Sequence, residues 1–362
     1  MSINFSLPVR VTAVEGRLFH LDSNYVIYSH DQYLNVFVSS DLETTMLVAP
    51  TPIECEVSES FLRMDDYIYF DDDADLSEKG CIYRLNIGEH TVVRVSEGMF
   101  TSCFPVKIDD EYGYFATDHK KLSKLKLDSL TIVTETQKYR RSGPPVSLAS
   151  GFCIKSKNDL NFFNSELDLV KKVDIEEVLS EANLKITSRL QSHKNNVLIG
   201  LSDGSVASIG LGTSLLNWRV GEFFDNRWCV GNEGQVYSVF KGNLKVVDAE
   251  TGDLLLDKPI NSDWVQAEKD TLNLFQVNVS ATHLWCGFLG HGLCAVNLET
   301  AEIDWHEFDG QSLNRKPIIK NNRIYVQLMS GGIGLDNDGT QEYILEGEGG
   351  YIEDSDNEFV VF

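Results

Sequence analysis

The chain has 362 residues and a formal net charge of −24, from 31 Lys and Arg against 55 Asp and Glu. Its 42% hydrophobic content excludes a disordered tail, which buries too little apolar surface to offset chain entropy. Its acidity excludes a general nucleic-acid binder, because phosphate neutralisation needs clustered Lys and Arg. No run approaches the roughly 18 apolar residues of a membrane helix, so no membrane partner is expected.

The opening residues Met1 to Arg10 show no basic stretch leading into an apolar one. Seven cysteines lie at 55, 81, 103, 153, 229, 286 and 294, with no Cys-x-x-Cys. An odd, scattered set inside apolar runs reads as buried free thiols. Both observations predict a cytoplasmic protein.

Taken in chain order, the predicted elements are short strands. One unit reads Asn195-Asn-Val-Leu-Ile-Gly-Leu, the turn Ser202-Asp-Gly204, Ser205-Val-Ala-Ser-Ile-Gly, then Leu215-Leu-Asn-Trp-Arg-Val220. Asp-Gly between β-forming runs supplies the positive φ of a hairpin turn. The phrase recurs, with first strands expected near Val26, Ile68, Tyr114, Phe152, Leu198, Tyr237, Trp285 and Tyr325. A further apolar stretch between units, such as Ile318-Ile319, serves as the remaining strand. Two segments break the pattern. Asp174 to Leu184 has a helical apolar spacing and Asp174 as N-cap, and Ser262 to Lys269 is a weaker helical candidate.

A period of 38–48 residues with about four strands per repeat predicts an all-β fold, a single closed β-propeller of seven or eight four-stranded blades. Eight is favoured, with one short helix inserted near 174–184. The whole chain, residues 1–362, is then one domain. It is expected to close by pairing strands from its N- and C-terminal ends, which removes exposed edges.

Two units carry a family resemblance. Val246-Val-Asp-Ala-Glu-Thr-Gly-Asp-Leu-Leu-Leu256 resembles the quinoprotein-like (PQQ-like) propeller repeat, whose phrase is roughly ALDAxTGxxLW. Ala295-Val-Asn-Leu-Glu-Thr-Ala-Glu-Ile-Asp-Trp305 is similar, with Ala301 where the family has Gly. The resemblance implies a Thr-Gly turn between third and fourth strands and a Trp packed between blades. It implies no active-site residue. The family's enzymes commonly carry adjacent cysteines and a calcium site beside a redox cofactor. This chain has no Cys-Cys pair, so no cofactor is expected.

Motifs with chemical potential read mostly as structure. Gly200-Leu-Ser202-Asp-Gly204 matches Gly-x-Ser-x-Gly, but a nucleophile elbow needs a strand-to-helix turn and here strands flank both sides. His283-x-x-Cys286 and His291-x-x-Cys294 have metal-ligand spacing. On a hairpin near Gly290 the two cysteines share a face, His283 points to the other, and His291 lies in the turn. Asp71, Asp73, Asp75 and Ser77 suggest a calcium loop, yet its sixth and twelfth places hold Leu76 and Ile82. No metal and no catalytic residue is therefore assigned. His20, His119, His193 and His306 are the single histidines a channel hydrolase or lyase would use.

The charge map points to binding. Residues 1–100 hold 6 basic and 17 acidic residues, and residues 301–362 hold 4 and 13, whereas residues 101–200 hold 15 and 13. A closed ring would join the acidic ends into one sector facing a lysine-rich one (Lys107 to Lys172). Such a field steers a cationic partner. The expected function is a non-catalytic protein-binding propeller that captures a basic protein. Its most concrete form is an immunity protein neutralising a bacterial toxin domain. A scaffold subunit, or a hydrolase or lyase with a channel site, is the alternative. The partner-binding residues are expected at Asp65, Asp66, Asp71, Asp72, Asp73, Asp75, Glu348, Glu353, Asp354 and Asp356. Trp228 and Trp264, outside the repeat's Trp position, are the expected aromatic anchors.

Overall fold

Short runs of Val, Ile, Leu, Tyr and Phe, cut repeatedly by Gly, Asp and Asn, favour paired strands over helices. In the computed structural model, side chains are described for most of residues 145–306, for parts of 66–136, and at 313 and 317. Elsewhere the backbone of the strands alone is described.

The chain divides into two compact units, one of residues 17–198 and 209–216, the other of residues 1–16, 199–208 and 217–362. The first unit holds four antiparallel four-stranded sheets. They are built from Arg17–Leu21, Tyr25–His30, Tyr33–Val38 and Met46–Pro52; Val57–Met64, Tyr67–Asp72, Gly80–Asn86 and Thr91–Phe100; Val106–Lys107, Tyr112–Asp118, Lys121–Lys126 and Thr131–Glu135; and Val146–Leu148, Gly151–Ser156, Asp159–Phe163 and Leu169–Asp174. A fifth sheet follows from Gln191–His193, Asn196–Gly200, Val206–Ile209 and Leu216–Val220.

In the second unit the sixth sheet is Trp228–Val230, Gln235–Phe240, Asn243–Asp248 and Leu254–Pro259. The seventh is Leu274–Val279, His283–Phe288, Gly292–Asn297 and Ile303–Glu307. In the eighth, Arg323–Met329 pairs with Thr340–Glu346 and with both Ser312–Leu313 and Ile318–Lys320. Val14–Glu15, from the other end of the chain, pairs with Thr340–Glu346. Arg10–Val11 pairs with Val360–Val361.

The repeat is real but its phase differs from the sequence reading. Val26, Ile68, Tyr114, Phe152, Leu198, Tyr237 and Trp285 lie in the second strand of each sheet, not the first. The true first strands include runs of only two or three residues, such as Val106–Lys107 and Trp228–Val230, too short to show alternation.

The turn shared by the two quinoprotein-like phrases is built twice over. Asp248 Oδ1 accepts from the backbone N–H of Glu250 and of Thr251, both at 2.8 Å. Asn297 Oδ1 does the same for Glu299 (2.9 Å) and Thr300 (3.1 Å). The residue that follows is left-handed in both, Gly252 at φ 79° and Ala301 at φ 57°. Trp218 of the fifth sheet lies over the first of these turns. Its Nε1 donates to Ala249 O at 3.1 Å, and a Cβ at Gly252 would sit 2.6 Å from its ring.

After that turn, the last strand of several sheets carries one residue with no opposite number: Val133, Val170, Leu255 and Asp304 in the third, fourth, sixth and seventh sheets, and likewise Leu47 in the first and, further along the strand, Val95 in the second. Val133, Val170 and Leu255 are exposed, by 54%, 59% and 50% respectively.

Among the described residues, two short helices interrupt the strands. The first, α1 (Ile175–Leu179), has Asp174 as N-cap accepting from Glu176 N at 2.9 Å. It stops at Ser180, which turns left-handed, so the helix does not run to 184 as the spacing suggested. The second, α2 (Asp263–Glu268), lies between Ser262 and Lys269. It is pinned by Gln266 Nε2, which donates to Gly242 O (2.9 Å) and Ile260 O (3.0 Å). Beneath it the sixth and seventh sheets share a core that includes Cys229, Val239, Leu244, Val265, Leu284, Cys286, Phe288 and Cys294.

Candidate partner-binding surface

The acidic residues singled out from the sequence fall on the second sheet and on the C-terminal segment. Asp66 is exposed in the tight turn joining Val57–Met64 to Tyr67–Asp72. Asp71 and Asp72 end the latter strand. Asp65, Asp73, Asp75, Glu348, Glu353, Asp354 and Asp356 lie outside the described residues. The calcium-like loop, through Asp73, Asp75 and Ser77, lies outside them too.

The two aromatic candidates differ. Trp228 is 3% exposed, on the first strand of the sixth sheet opposite Ser238. It is a core residue and cannot be a surface anchor. The sequence reading missed this because the three-residue strand gives no periodicity to mark its inward face. Trp264, on α2, is partly buried and packs against the core of the sixth and seventh sheets. Its ring stacks on His291 (centroids 5.1 Å apart) and on His306 (5.3 Å), and meets Phe288 edge-on at 5.8 Å. Glu268, one turn along α2, has a carboxylate oxygen 3.0 Å from His291 Nε2. His306 Nε2 in turn lies 2.6 Å from His291 O. The imidazoles and the indole thus fasten α2 to the seventh sheet. That fastening has no sequence signature, since its members are 15 to 42 residues apart.

The motifs with metal-ligand and nucleophile spacing resolve into local structure. Cys286 and Cys294 stand opposite each other on neighbouring strands, both fully buried. His283 belongs to a different network. Thr282 Oγ1 lies 2.8 Å from its Nδ1, Asp304 Oδ2 lies 2.8 Å from its Nε2, and Asn297 Nδ2 donates to the same carboxylate oxygen at 2.8 Å. Burial pushes the Asp304 carboxyl up, but these hydrogen bonds outweigh it and hold the group below its usual range. The structure therefore brings the two cysteines together and directs both histidines elsewhere. Among the described residues, no group of three or more His, Cys, Asp or Glu is placed to hold a metal.

The Gly-x-Ser-x-Gly segment is a hairpin turn. Gly204 takes φ 78°, and Leu201 N bonds Ser205 O at 2.8 Å. Asp203 closes it, accepting from Ser205 Oγ at 2.7 Å and pairing with Arg219. Of the single histidines, His193 is partly buried in the fifth sheet and His306 belongs to the Trp264 stack. His20 is placed by its strand backbone, Arg17–Leu21, and His119 lies outside the described residues.

No protein-family model matches the chain, and no curated protein does. Solved structures do. BamB from Moraxella catarrhalis matches with a TM-score of 0.61 at 12% identity, covering 93% of this chain and 99% of its own. Sqt1 from Saccharomyces cerevisiae matches with a TM-score of 0.64 at 11% identity, covering 94% and 100%. The C-terminal WD40 domain of Sif2 matches with a TM-score of 0.61 at 10% identity, covering 93% and 98%. The fold is a β-propeller. At these identities the likeness concerns architecture, and the propeller's function rests on its own residues.

Proposed function

We propose that this propeller is a non-catalytic protein-binding module of the quinoprotein-like repeat type, and that it captures a basic protein. The repeat type rests on the two turns at Asp248 and Asn297, with Trp218 lying over the first. The binding role rests on charge. A chain of net charge −24 concentrates its acids at its two ends, and Asp66 stands exposed on a turn of the second sheet. A field of that sign accelerates encounter with a cationic protein and disfavours an anionic one. The most concrete form is an immunity protein that blocks a basic toxin domain. The whole chain acts as one domain closed by its terminal strands, in the cytoplasm. Buried free thiols at Cys153, Cys229, Cys286 and Cys294 support that location.

The test is capture by the full chain of purified basic proteins, a basic nuclease domain among them, at rising salt. The reading expects tight capture that weakens with ionic strength. Replacing Asp65, Asp66, Asp71, Asp72 and Asp73 together by Ser should slow association. Unchanged capture by that variant would remove the acidic patch as the mechanism.

A further inference from the structure

The second sheet differs from its neighbours at its last strand, Thr91–Phe100. This is the longest strand described, at ten residues, and it lies at the sheet's edge with one paired neighbour. The last strands of the third, fourth, sixth and seventh sheets are interrupted by a bulge soon after they begin. That of the fourth also carries Lys171 and Lys172, that of the sixth ends in Pro259, and that of the first contains Pro50 and Pro52. Bulges, lysines and prolines are the features that keep an edge from pairing with another chain. In the second sheet the register holds over the first four residues, Thr91 opposite Asn86, Val92 opposite Leu85, Val93 opposite Arg84 and Arg94 opposite Tyr83, and the strand bulges only beyond them, between Arg94 and Ser96 and between Ser96 and Phe100. The residues there are Thr-Val-Val-Arg, with no lysine or proline, and with Thr91 and Val93 exposed, Val93 by 46%.

The register also places acid beside this edge. Met64 pairs with Tyr67, Tyr67 with Asn86, and Asn86 with Thr91. The turn holding Asp66 and the turn holding Glu89 therefore project from the same end of the sheet. Both residues are exposed, and Asn86 Oδ1 fixes the second turn by accepting from Glu89 N at 3.1 Å.

We propose that the edge Thr91–Arg94 takes an extended segment of a basic protein as a fifth strand. Backbone hydrogen bonds supply the pairing, Val93 supplies an apolar contact, and Asp66 and Glu89 receive basic residues at one end of the segment. The proposal rests on the basic-partner reading for the charge of its occupant, while the strand edge, unpaired among the described residues, is independent of it.

The probe is the acetylated, amidated peptide Lys-Lys-Val-Thr-Val-Thr, its Glu-Glu counterpart, and a Lys-Lys form methylated at alternate backbone nitrogens. Each is titrated into the full chain, with amide hydrogen exchange read at 91–94. Binding of the Lys-Lys peptide should slow exchange there. Backbone methylation should abolish binding, and Val93→Lys should weaken it about tenfold, whereas Val133→Lys on the third sheet should not. Binding that leaves exchange at 91–94 unchanged, or that tolerates methylation, overturns strand addition, as does no binding at all. Equal protection by the Glu-Glu peptide would keep the edge as a docking strand and overturn the basic-partner reading instead.

Discussion

The indole N–H of Trp218 donates to Ala249 O at 3.1 Å, across the boundary between the fifth and sixth sheets. It fits because position 252 has no side chain. In the next repeat the two positions change together. Leu256 stands where the phrase has Trp, and Ala301 stands where it has Gly. Leu256 packs against the core that contains Ala301. A smaller lid thus accompanies a larger floor.

Gly252→Ala should therefore be costly. It adds a methyl 2.6 Å from the Trp218 ring at φ 79°, combining overpacking with left-handed strain, about 2–4 kcal/mol in all. Ala301→Gly relieves strain at φ 57° but removes a fully buried methyl, two effects of about 1 kcal/mol that oppose each other. Urea unfolding of both variants should show a large loss for the first and a change within about 1 kcal/mol for the second.

Acid should weaken the second unit through two carboxylates. Burial pushes Asp203 up, but hydrogen bonds from Ser205 and Arg219 outweigh it and hold the group low, as Asn297 and His283 do for Asp304. A depressed folded value means the stabilisation is present above the unfolded value of about 3.9 and is lost as pH falls through the folded one. The urea midpoint should fall below about pH 4, and that fall should be shallower in Asp203→Asn and Asp304→Asn.

The cysteines should be silent in the native state. Burial pushes the thiols of Cys153 and Cys286 well up, so both are protonated at neutral pH, and the thiolate is the reactive form. Peptide mapping after brief treatment with a thiol reagent should find Cys153, Cys229, Cys286 and Cys294 unmodified, and all four labelled in denaturant. Rapid labelling of Cys286 in the folded chain would contradict the burial.

Trp264→Ala removes a ring stacked on two imidazoles and edge-on to Phe288. A loss of about 2–4 kcal/mol is expected, with faster amide exchange across Asp263–Glu268. Unchanged exchange there would show that Gln266 alone holds the helix.

The sequence disclosed what is written in neighbouring residues. Asp203-Gly204 and Asp248 to Gly252 specify turns within a few positions, and the repeat of those turns revealed the propeller. Asp174 announced α1, whereas its end at Ser180 depends on a left-handed residue that no Gly or Asn marks. The burial of Trp228 and the stacking of Trp264 on His291 and His306 depend on partners distant in the chain, which local pattern does not carry.

The unpaired residue after the third turn is a slot that each repeat fills as it chooses. Val133, Val170 and Leu255 leave it pointing at solvent, while Asp304 turns it inward to clasp His283. In the sixth sheet the places of His283, Asn297 and Asp304 are held by Gln235, Asp248 and Leu255. The clasp is thus modular, three side chains on an unchanged backbone, and the repeat offers protein engineers a socket into which such a fastening can be moved from one blade to another.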